Sequence, residues 1–300
     1  MAKAMVSLID YAPFGRCARI ANGDAELYVT LDVGPRIIRY GFPGKPNMMC
    51  EAPDVTEANG WHIWGGHRLW HSPEHMPRTY EPDSEPVEWE EIPGGIRTRQ
   101  KVEPWAGMGK QMDIVLDDAG SGVVITHRMT NHGAWPVECA IWALTVLSPG
   151  GLEVVPMPAR DTGLVGNRVL GLWPYTRMSD PRVRWGDRYI MLRQDPSIAQ
   201  KFKFGINNED GWAAYFNHRQ AFIKRYEHDI EALYPDGGMS FETFTNGLML
   251  EMESLSPLVL MDSGDTIEHE ERWELIDGVE PPEEREEAVD ALVRGLLARE

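Results

Sequence analysis

The feature that most constrains the fold of this chain is an alternation of apolar and polar residues that recurs along most of its length. Residues 25–31 (Ala-Glu-Leu-Tyr-Val-Thr-Leu) show it clearly, and a Gly34-Pro35 turn separates them from a second such stretch at 36–40. Successive side chains of a β-strand point to opposite sides, so the pattern predicts half-buried strands. Residues 137–147 are nearly all apolar and predict a central strand buried on both faces.

Alternating or apolar stretches bounded by turn residues predict about fifteen strands in all. The remaining ones are 87–91, 96–102, 111–116, 122–130, 152–156, 189–193, 201–205, 212–217, 221–227, 240–244, 247–255 and 266–275. No linker rich in proline, glycine and serine interrupts this succession. We therefore predict an all-β protein, a large antiparallel β-sandwich that forms one domain over residues 1–300.

The C-terminus departs from the alternation. After Pro281-Pro282, apolar residues recur at the spacing of one helix face, at Val289, Leu292, Val293, Leu296 and Leu297. This spacing predicts an amphipathic helix within residues 281–300, packed on the sandwich or on a partner subunit.

Acidic residues outnumber basic ones, 47 against 29, and give a formal net charge of −18. Nucleic acids and anionic lipids are bound through Lys and Arg, so the charge disfavours both and favours a small-molecule partner. The three cysteines have no CxxC spacing, which predicts free thiols. Residues 1–20 lack a signal peptide and no apolar run reaches about 18 residues, so we expect a cytoplasmic protein, monomer or homodimer.

Residues 61–75 hold four of the nine histidines and three of the eleven tryptophans. Sugar sites combine flat aromatic faces with charged or amide groups that hydrogen-bond to hydroxyls. The alternative is a set of core tryptophans with hydrogen-bonded histidines. The candidate substrate-binding residues of this segment are Trp64, Arg68, Trp70 and His71, and His67 is a candidate catalytic residue.

Metal binding is a competing interpretation of the same segment. His67, His71 and His75 are four residues apart, which on a helix would place them on one face. Pro73 and the Gly65-Gly66 pair disfavour a helix, and no HExxH motif is present. We therefore predict neither a metal nor a cofactor.

A second candidate segment spans residues 246–257. Glu251 and Glu253 stand two apart on a predicted strand, so both project from one face, where one carboxyl can acquire a raised pKa suited to proton transfer. A solvated acidic face is the alternative. Glu253 is a candidate substrate-binding residue, and weaker ones are Arg36, after the Gly34-Pro35 turn, and Lys203, between two phenylalanines. The aromatic and basic residues between 173 and 185 predict a surface loop.

These segments carry a family resemblance. Residues 247–251 (Gly-Leu-Met-Leu-Glu), then Pro257 and residues 264–269 (Gly-Asp-Thr-Ile-Glu-His), resemble the closing strands of aldose 1-epimerases. Residues 22–40 resemble the opening hairpin of the same galactose mutarotase-like superfamily. The Gly-Gly-His-Arg-Leu-Trp motif at 65–70 is similar to that of its uncharacterised bacterial members.

The resemblance implies an isomerase that interconverts sugar anomers by acid-base ring opening, without a metal or cofactor. It implies Glu251 as the base, His67 or His71 as the acid, and Arg68 as a ligand of sugar hydroxyls. Aldose 1-epimerases carry the acid histidine on a mid-chain strand, whereas the equivalent stretch here, residues 138–144, has none. A non-catalytic sugar-binding protein and a lyase or hydrolase on the same scaffold therefore remain alternatives.

Overall fold

A computed structural model describes residues 3–56 and 60–298, which are mostly β-strands. In chain order the strands are β1 (Met5–Asp10), β2 (Arg16–Ala21), β3 (Glu26–Thr30), β4 (Ile37–Gly41), β5 (Glu51–Thr56), β6 (His62–Ser72), β7 (Glu88–Ile92), β8 (Gly95–Arg99), β9 (Met108–Leu116), β10 (Val123–Asn131), β11 (Val137–Leu147), β12 (Leu152–Pro156), β13 (Leu170–Leu172), β14 (Val183–Trp185), β15 (Tyr189–Arg193), β16 (Phe202–Ile206), β17 (Trp212–Asn217), β18 (Gln220–Tyr226), β19 (Phe241–Thr245), β20 (Leu250–Leu255), β21 (Val259–Met261) and β22 (Thr266–Asp277). A 3₁₀ turn (Arg78–Tyr80), a helical turn α1 (Pro235–Gly238) and a helix α2 (Glu286–Leu297) complete the elements.

The strands form two antiparallel sheets. The first has twelve strands in the order β1-β2-β3-β4-β6-β11-β20-β19-β16-β13, with β5 added beside β6 and β21 beside β11. The second has ten strands in the order β14-β15-β12-β17-β18-β22-β10-β9-β8-β7. The central strands β6, β11 and β20 of the first sheet therefore bring chain-distant segments side by side.

The sheets pack face to face over an apolar core. Tyr40 from the first sheet lies against Phe222 and Trp273 from the second, with ring centroids 6.1 and 5.8 Å apart. Leu69 and Met252 of the first sheet belong to the same buried cluster. Burial of one face of each sheet against the other is what stabilises a β-sandwich, so the predicted fold class is confirmed.

The predicted C-terminal helix is present as α2. Val289, Val293 and Leu296 are buried against Trp212 and Ile223, which lie on the outer face of the ten-stranded sheet. The helix thus covers the second sheet of its own chain. Residues 299 and 300 of the predicted range lie outside the described residues.

All fifteen predicted strands have counterparts, but β6 was predicted only as a site segment and not as a strand. Its glycine pair is required by close backbone packing. A Cβ on Gly65 would lie 2.0 Å from the carbonyl oxygen of Cys50, and one on Gly66 would lie 2.4 Å from that of Ile37. Gly66 also has a φ of 65°, in the left-handed region that favours glycine. None of the helices in the described part of the chain is long and apolar enough to cross a membrane.

Candidate functional site

Neighbouring residues of the predicted site on strand β6 project from opposite faces of the twelve-stranded sheet. Arg68 and Trp70 point outward, away from the second sheet, and line a cavity there. His67 points into the space between the sheets, where its side chain is 0% exposed. The expected convergence of His67 with Arg68 and Glu251 is therefore not found, because adjacent residues of a strand face opposite sides.

The outward-facing cavity has a volume of about 260 Å³ and adjoins a second one of about 350 Å³. Cavities of roughly 300–1,000 Å³ with aromatic walls and a few polar groups are typical of small-molecule sites. Shared lining residues show that the two are continuous; these are Glu74, Tyr80, Trp142 and Trp173. Trp61, Trp70, Tyr175 and Phe244 add further aromatic faces to the first.

Arg68 and Glu251 form the charged centre of this cavity. The two terminal nitrogens of Arg68, Nη1 and Nη2, each lie 3.2 Å from Glu251 Oε1. The guanidinium also lies over the rings of Trp70 and Trp61, at 4.3 and 5.1 Å from their centroids. Stacking and ion pairing together hold Arg68 in one place, and Arg68 in turn fixes the Glu251 carboxylate.

A second cluster of charged side chains, formed by Lys203, Glu242 and Glu253, lies near the Arg68–Glu251 pair. Lys203 Nζ is 2.7 Å from Glu242 Oε2 and 2.9 Å from Glu253 Oε2, and all three side chains are nearly inaccessible to solvent. Trp142 Nε1 donates a further hydrogen bond to Glu253 Oε2 at 2.8 Å. The predicted role of Lys203 in substrate binding gains no support here, because two carboxylates of the protein already face its ammonium group.

Strand pairing explains why these groups meet. Across the sheet, Arg68 is paired with Leu144, Leu144 with Glu253, and Glu253 with Glu242. Paired residues of neighbouring strands project from the same face, so the pairing brings Arg68, Glu253 and Glu242 from three strands onto one face, with Leu144 of the fourth between them. Glu251 lies two residues from Glu253 on β20 and shares that face, as the sequence predicted.

His67 belongs to a hydrogen-bonded network in the core. Its Nε2 lies 2.7 Å from Nε2 of His127, and its Nδ1 lies 2.9 Å from the hydroxyl of Thr145. His127 Nδ1 lies 2.9 Å from the backbone carbonyl of His269, to which it must donate. The pattern then assigns His67 Nε2 as the donor to His127 and Thr145 as the donor to His67, with both rings neutral.

Glu271 and Lys224 are the charged members of this core network. Lys224 Nζ lies 2.7 Å from Glu271 Oε1, and Trp273 Nε1 donates to Glu271 Oε2 at 2.8 Å. Ser254 lies between Glu271 and His269, 2.5 and 2.7 Å from them. Both oxygens of Glu271 and the ammonium group of Lys224 are thus hydrogen-bonded, which is the condition under which a buried ion pair is tolerated.

The pKa values in the core follow from burial and from this pair. Burial lowers the pKa of His67 well below its usual value, lowers that of His127, and lowers that of His269 to about 3. Burial alone would raise the pKa of Glu271, but the Lys224 ammonium and the neighbouring histidines together outweigh it and hold that pKa well below its usual range. The imidazoles are neutral at pH 7, and Glu271 is ionised.

Ligand atoms of His67, His127 and Glu271 lie within 4.8 Å of one another, which is the spacing of a possible metal site. Two imidazoles and a carboxylate are a known zinc set. The same atoms are already engaged in direct hydrogen bonds with each other, with Lys224 and with Trp273. Those bonds account for the cluster without an ion, so we assign it no metal chemistry.

Three other predicted residues do not line the cavity. His71 Nε2 faces Glu103 Oε2 at 3.6 Å in a buried cluster. Arg36 is 1% exposed and pairs with Asp83 at 2.8 Å. Trp64 stacks on His62, with ring centroids 4.7 Å apart. Each of the three is fixed by contacts within the protein, away from Arg68 and Glu251.

Several lining residues were not predicted from the sequence. Glu242 lies on a predicted strand but received no role, and Trp142 belongs to the apolar strand β11. Trp173 and Tyr175 line the cavity although their segment was predicted as a surface loop. Alternation along 240–244 was the signal available for Glu242, since it places this carboxyl on one face of its strand.

Larger cavities exist elsewhere. One of about 540 Å³ lies at the second sheet, lined by Arg225, His269 and Arg272 among others. Arg225 and Arg272 are paired with Glu274 and Asp117, at 3.5 and 3.0 Å. We favour the Arg68–Glu251 cavity because it alone combines an aromatic wall with buried carboxyl groups, among the described cavities.

No protein-family model and no curated protein matches this sequence. Solved structures do. A proposed aldose 1-epimerase from Klebsiella pneumoniae aligns with a TM-score of 0.58 at 12% identity, over 94% of this chain and 83% of that one. Slr1438 from Synechocystis aligns with a TM-score of 0.56 at 10% identity, over 92% and 96%. A galactose mutarotase-like protein from Lactobacillus casei aligns with a TM-score of 0.55 at 8% identity, over 87% and 100%. The chain therefore has the fold of galactose mutarotase-like proteins.

Proposed function

We propose that this protein is an isomerase that interconverts the anomers of a monosaccharide bound in the Arg68–Glu251 cavity. The observation that carries the proposal is a nearly buried carboxylate, Glu251, held by a guanidinium at the centre of an aromatic-walled cavity. Glu251 is only 7% exposed, so a ligand in the cavity would meet it away from bulk water.

The chemistry requires a base and an acid. The base takes the proton from the anomeric hydroxyl while the acid protonates the ring oxygen, and the C1–O5 bond breaks to give the open-chain aldehyde. Rotation about C1–C2 and the reverse steps return both protons and close the other anomer. Glu251 is our base, because its Oε1 is fixed by Arg68 and no hydrogen bond to Oε2 is found among the described residues.

The cavity wall supports a carbohydrate ligand. Trp173 and Tyr175 are the more accessible aromatic residues of the wall, and their rings suit the C–H faces of a pyranose. Asn246 and Lys201 line the same cavity and offer hydrogen bonds to hydroxyl groups. The fold relatives described as aldose 1-epimerases and mutarotases point to the same class of ligand.

Anomer exchange in a panel of free sugars, followed by polarimetry and by NMR, tests the proposal. We expect the protein to accelerate equilibration of at least one sugar. Glu251→Gln should reduce kcat by about 10²–10⁴-fold with little change in sugar affinity, because the amide keeps the shape but cannot take the proton. Glu138→Gln is the matched control, since Glu138 is exposed on the neighbouring strand β11.

Two outcomes would reject the isomerase. Sugar binding without faster anomer exchange, and with equal affinity in Glu251→Gln, would favour a sugar-binding protein. Release of new reducing ends or unsaturated products from glycosides would favour a hydrolase or lyase on this scaffold.

A further inference from the structure

We propose that Glu242 is the proton donor of this site, placed on the strand beside that of Glu251 to protonate the ring oxygen. The inference rests on the proposed function and supplies the acid that the sequence did not reveal. Neither His67 nor His71, the histidines implied by the family resemblance, reaches the cavity.

The position of Glu242 suits a pair of groups acting on one sugar. Glu242 lines the 350 Å³ part of the cavity, and Glu251 lines the 260 Å³ part. Their strands β19 and β20 are paired so that Glu242 stands opposite Glu253, one diagonal step from Glu251. Diagonal neighbours of this kind have Cα atoms about 7–8 Å apart. A pyranose between the two parts can therefore meet one carboxyl at its anomeric hydroxyl and the other at its ring oxygen.

Charge balance requires that one carboxyl of this group keeps a proton. Glu242 and Glu253 are 1% and 0% exposed, and a single ammonium group, Lys203, lies between them. One buried cation compensates one carboxylate, and a second uncompensated carboxylate in the same place would be costly enough to neutralise by protonation. The other ionisable groups that face Glu242 are Asp236, Glu74 and His75.

Hydrogen bonding identifies Glu242 as the protonated member. Glu253 Oε2 accepts from both Lys203 Nζ and Trp142 Nε1, which stabilises its ionised form. Glu242 Oε2 lies 2.7 Å from Lys203 Nζ, but neither oxygen of Glu242 makes a well-aligned hydrogen bond among the described residues, and neither accepts a second donor comparable to Trp142. Burial raises the pKa of both carboxyl groups, and raises that of Glu242 well above its usual range, although Lys203 opposes both shifts. Glu242 therefore carries a proton at neutral pH in the wall of the 350 Å³ part of the cavity, whereas Glu253 lines neither part.

The proton balance is closed within the site. Glu242 gives its proton to O5 as C1–O5 breaks, and Glu251 takes the proton of the anomeric hydroxyl. When the ring closes, O5 returns its proton to Glu242 and the new hydroxyl takes one from Glu251. During the open-chain interval Glu242 and Glu253 share the Lys203 ammonium, which lies 2.7 Å from Glu242, and the cost of sharing one cation favours return of the proton to Glu242 when the ring closes.

Three variants of the full chain test this assignment. Glu242→Gln removes the proton donor and keeps the shape. We expect a fall in kcat of about 10²–10⁴-fold with sugar affinity nearly unchanged. Glu253→Gln leaves Lys203 to pair with Glu242 alone, so Glu242 should ionise at lower pH. We expect the alkaline limb of the pH–rate profile to move to lower pH in this variant. Glu138→Gln should match the wild type in both respects.

Infrared spectroscopy separates this inference from the proposed function, since it needs no substrate. At pH 7 the wild type minus Glu242→Gln difference spectrum should contain a protonated-carboxyl band, and the band should weaken in Glu253→Gln. A folded Glu242→Gln variant with wild-type kcat, or a difference spectrum with only carboxylate bands, overturns the assignment. A protein with the expected band but no activity on any sugar refutes the isomerase proposal, and the donor role falls with it.

Discussion

The side chain of Lys224, which pairs with Glu271 in its own sheet and hydrogen-bonds to backbone carbonyls of the other, gives the sharpest test of how the buried polar network supports the sandwich. Lys224 rises from β18 of the ten-stranded sheet and is 0% exposed. Its ammonium reaches Glu271 Oε1 at 2.7 Å and the carbonyl oxygens of Met252 and Ala143 on the other sheet, at 3.1 and 3.4 Å. Lys224→Met keeps the apolar length of the side chain but leaves Glu271 as an uncompensated buried charge.

Breaking a buried pair by removing one partner costs about 3–5 kcal/mol. A domain of ordinary stability has about 5–15 kcal/mol in total, so Lys224→Met removes a large share. Replacing both charges, in Lys224→Met/Glu271→Gln, should recover about 1–4 kcal/mol, because the desolvated carboxylate is gone. Lys101→Met is the control: Lys101 pairs with Glu85 at the surface, and such pairs are worth about 0–1 kcal/mol.

The way the free energy of unfolding changes with pH tests the same ion pair independently. In the wild type the pKa of Glu271 is lowered, so its stabilisation is present above the unfolded value of about 4.3 and is lost as the pH falls below it. Without Lys224, burial raises the pKa of Glu271, and the variant regains stability on acidification by protonating this group. The stability difference between the two proteins should therefore be largest near neutral pH and shrink toward about pH 4.

Urea unfolding followed by tryptophan fluorescence and circular dichroism, repeated from neutral to acidic pH, measures these differences. A loss below about 1 kcal/mol in Lys224→Met would contradict the reasoning, since it would place the pair in the range of surface ion pairs. A double variant no more stable than Lys224→Met would do the same.

Other residues give shorter tests. His67→Gln should lower the free energy of unfolding by about 1–3 kcal/mol, because the substitution removes the hydrogen-bond partner of His127. Sugar affinity should stay unchanged. A tenfold loss of affinity in a thermal-shift titration would contradict the placement of His67 in the core. Trp173→Ala should weaken sugar binding by about 10–100-fold in calorimetry through loss of a stacking surface, whereas Trp135→Ala, at an 81% exposed position, should not. Leu296→Ala in α2 should cost about 2–4 kcal/mol in urea unfolding, against about 0.5 or less for the exposed Arg294→Ala.

The alternation of residue types was sufficient to predict the sandwich, because half-buried strands leave a period-two record in the sequence. It failed where that record is absent. In β6 most positions are buried on both faces, and a glycine pair bends the strand, so neither alternation nor β-branched residues mark it. Once β6 is recognised as a strand, His67 and Arg68 must face opposite sides, and their placement in one site could not have been proposed.

The candidate site was predicted where it depends on local sequence and missed where it depends on pairing between distant strands. Glu251 and Glu253 share a face because they are two residues apart. The protonation of Glu242 depends on Lys203, which β16 brings alongside β19. That neighbourhood is a property of strand order, which single-sequence patterns do not contain. The role of Trp173 likewise depends on which sheet its loop covers.

The glycine pair before Arg68 has a consequence for how this sequence can change. Since no Cβ fits at Gly65 or Gly66, the backbone contact with Cys50 and Ile37 locks the register of β6. A one-residue insertion between that lock and Arg68 would move the guanidinium into the apolar core and an imidazole into the cavity, so a single indel would damage stability and ligand binding together. Any relative that uses this cavity in the same way is expected to keep a single residue between the second glycine and the arginine, even where little else of the sequence is shared.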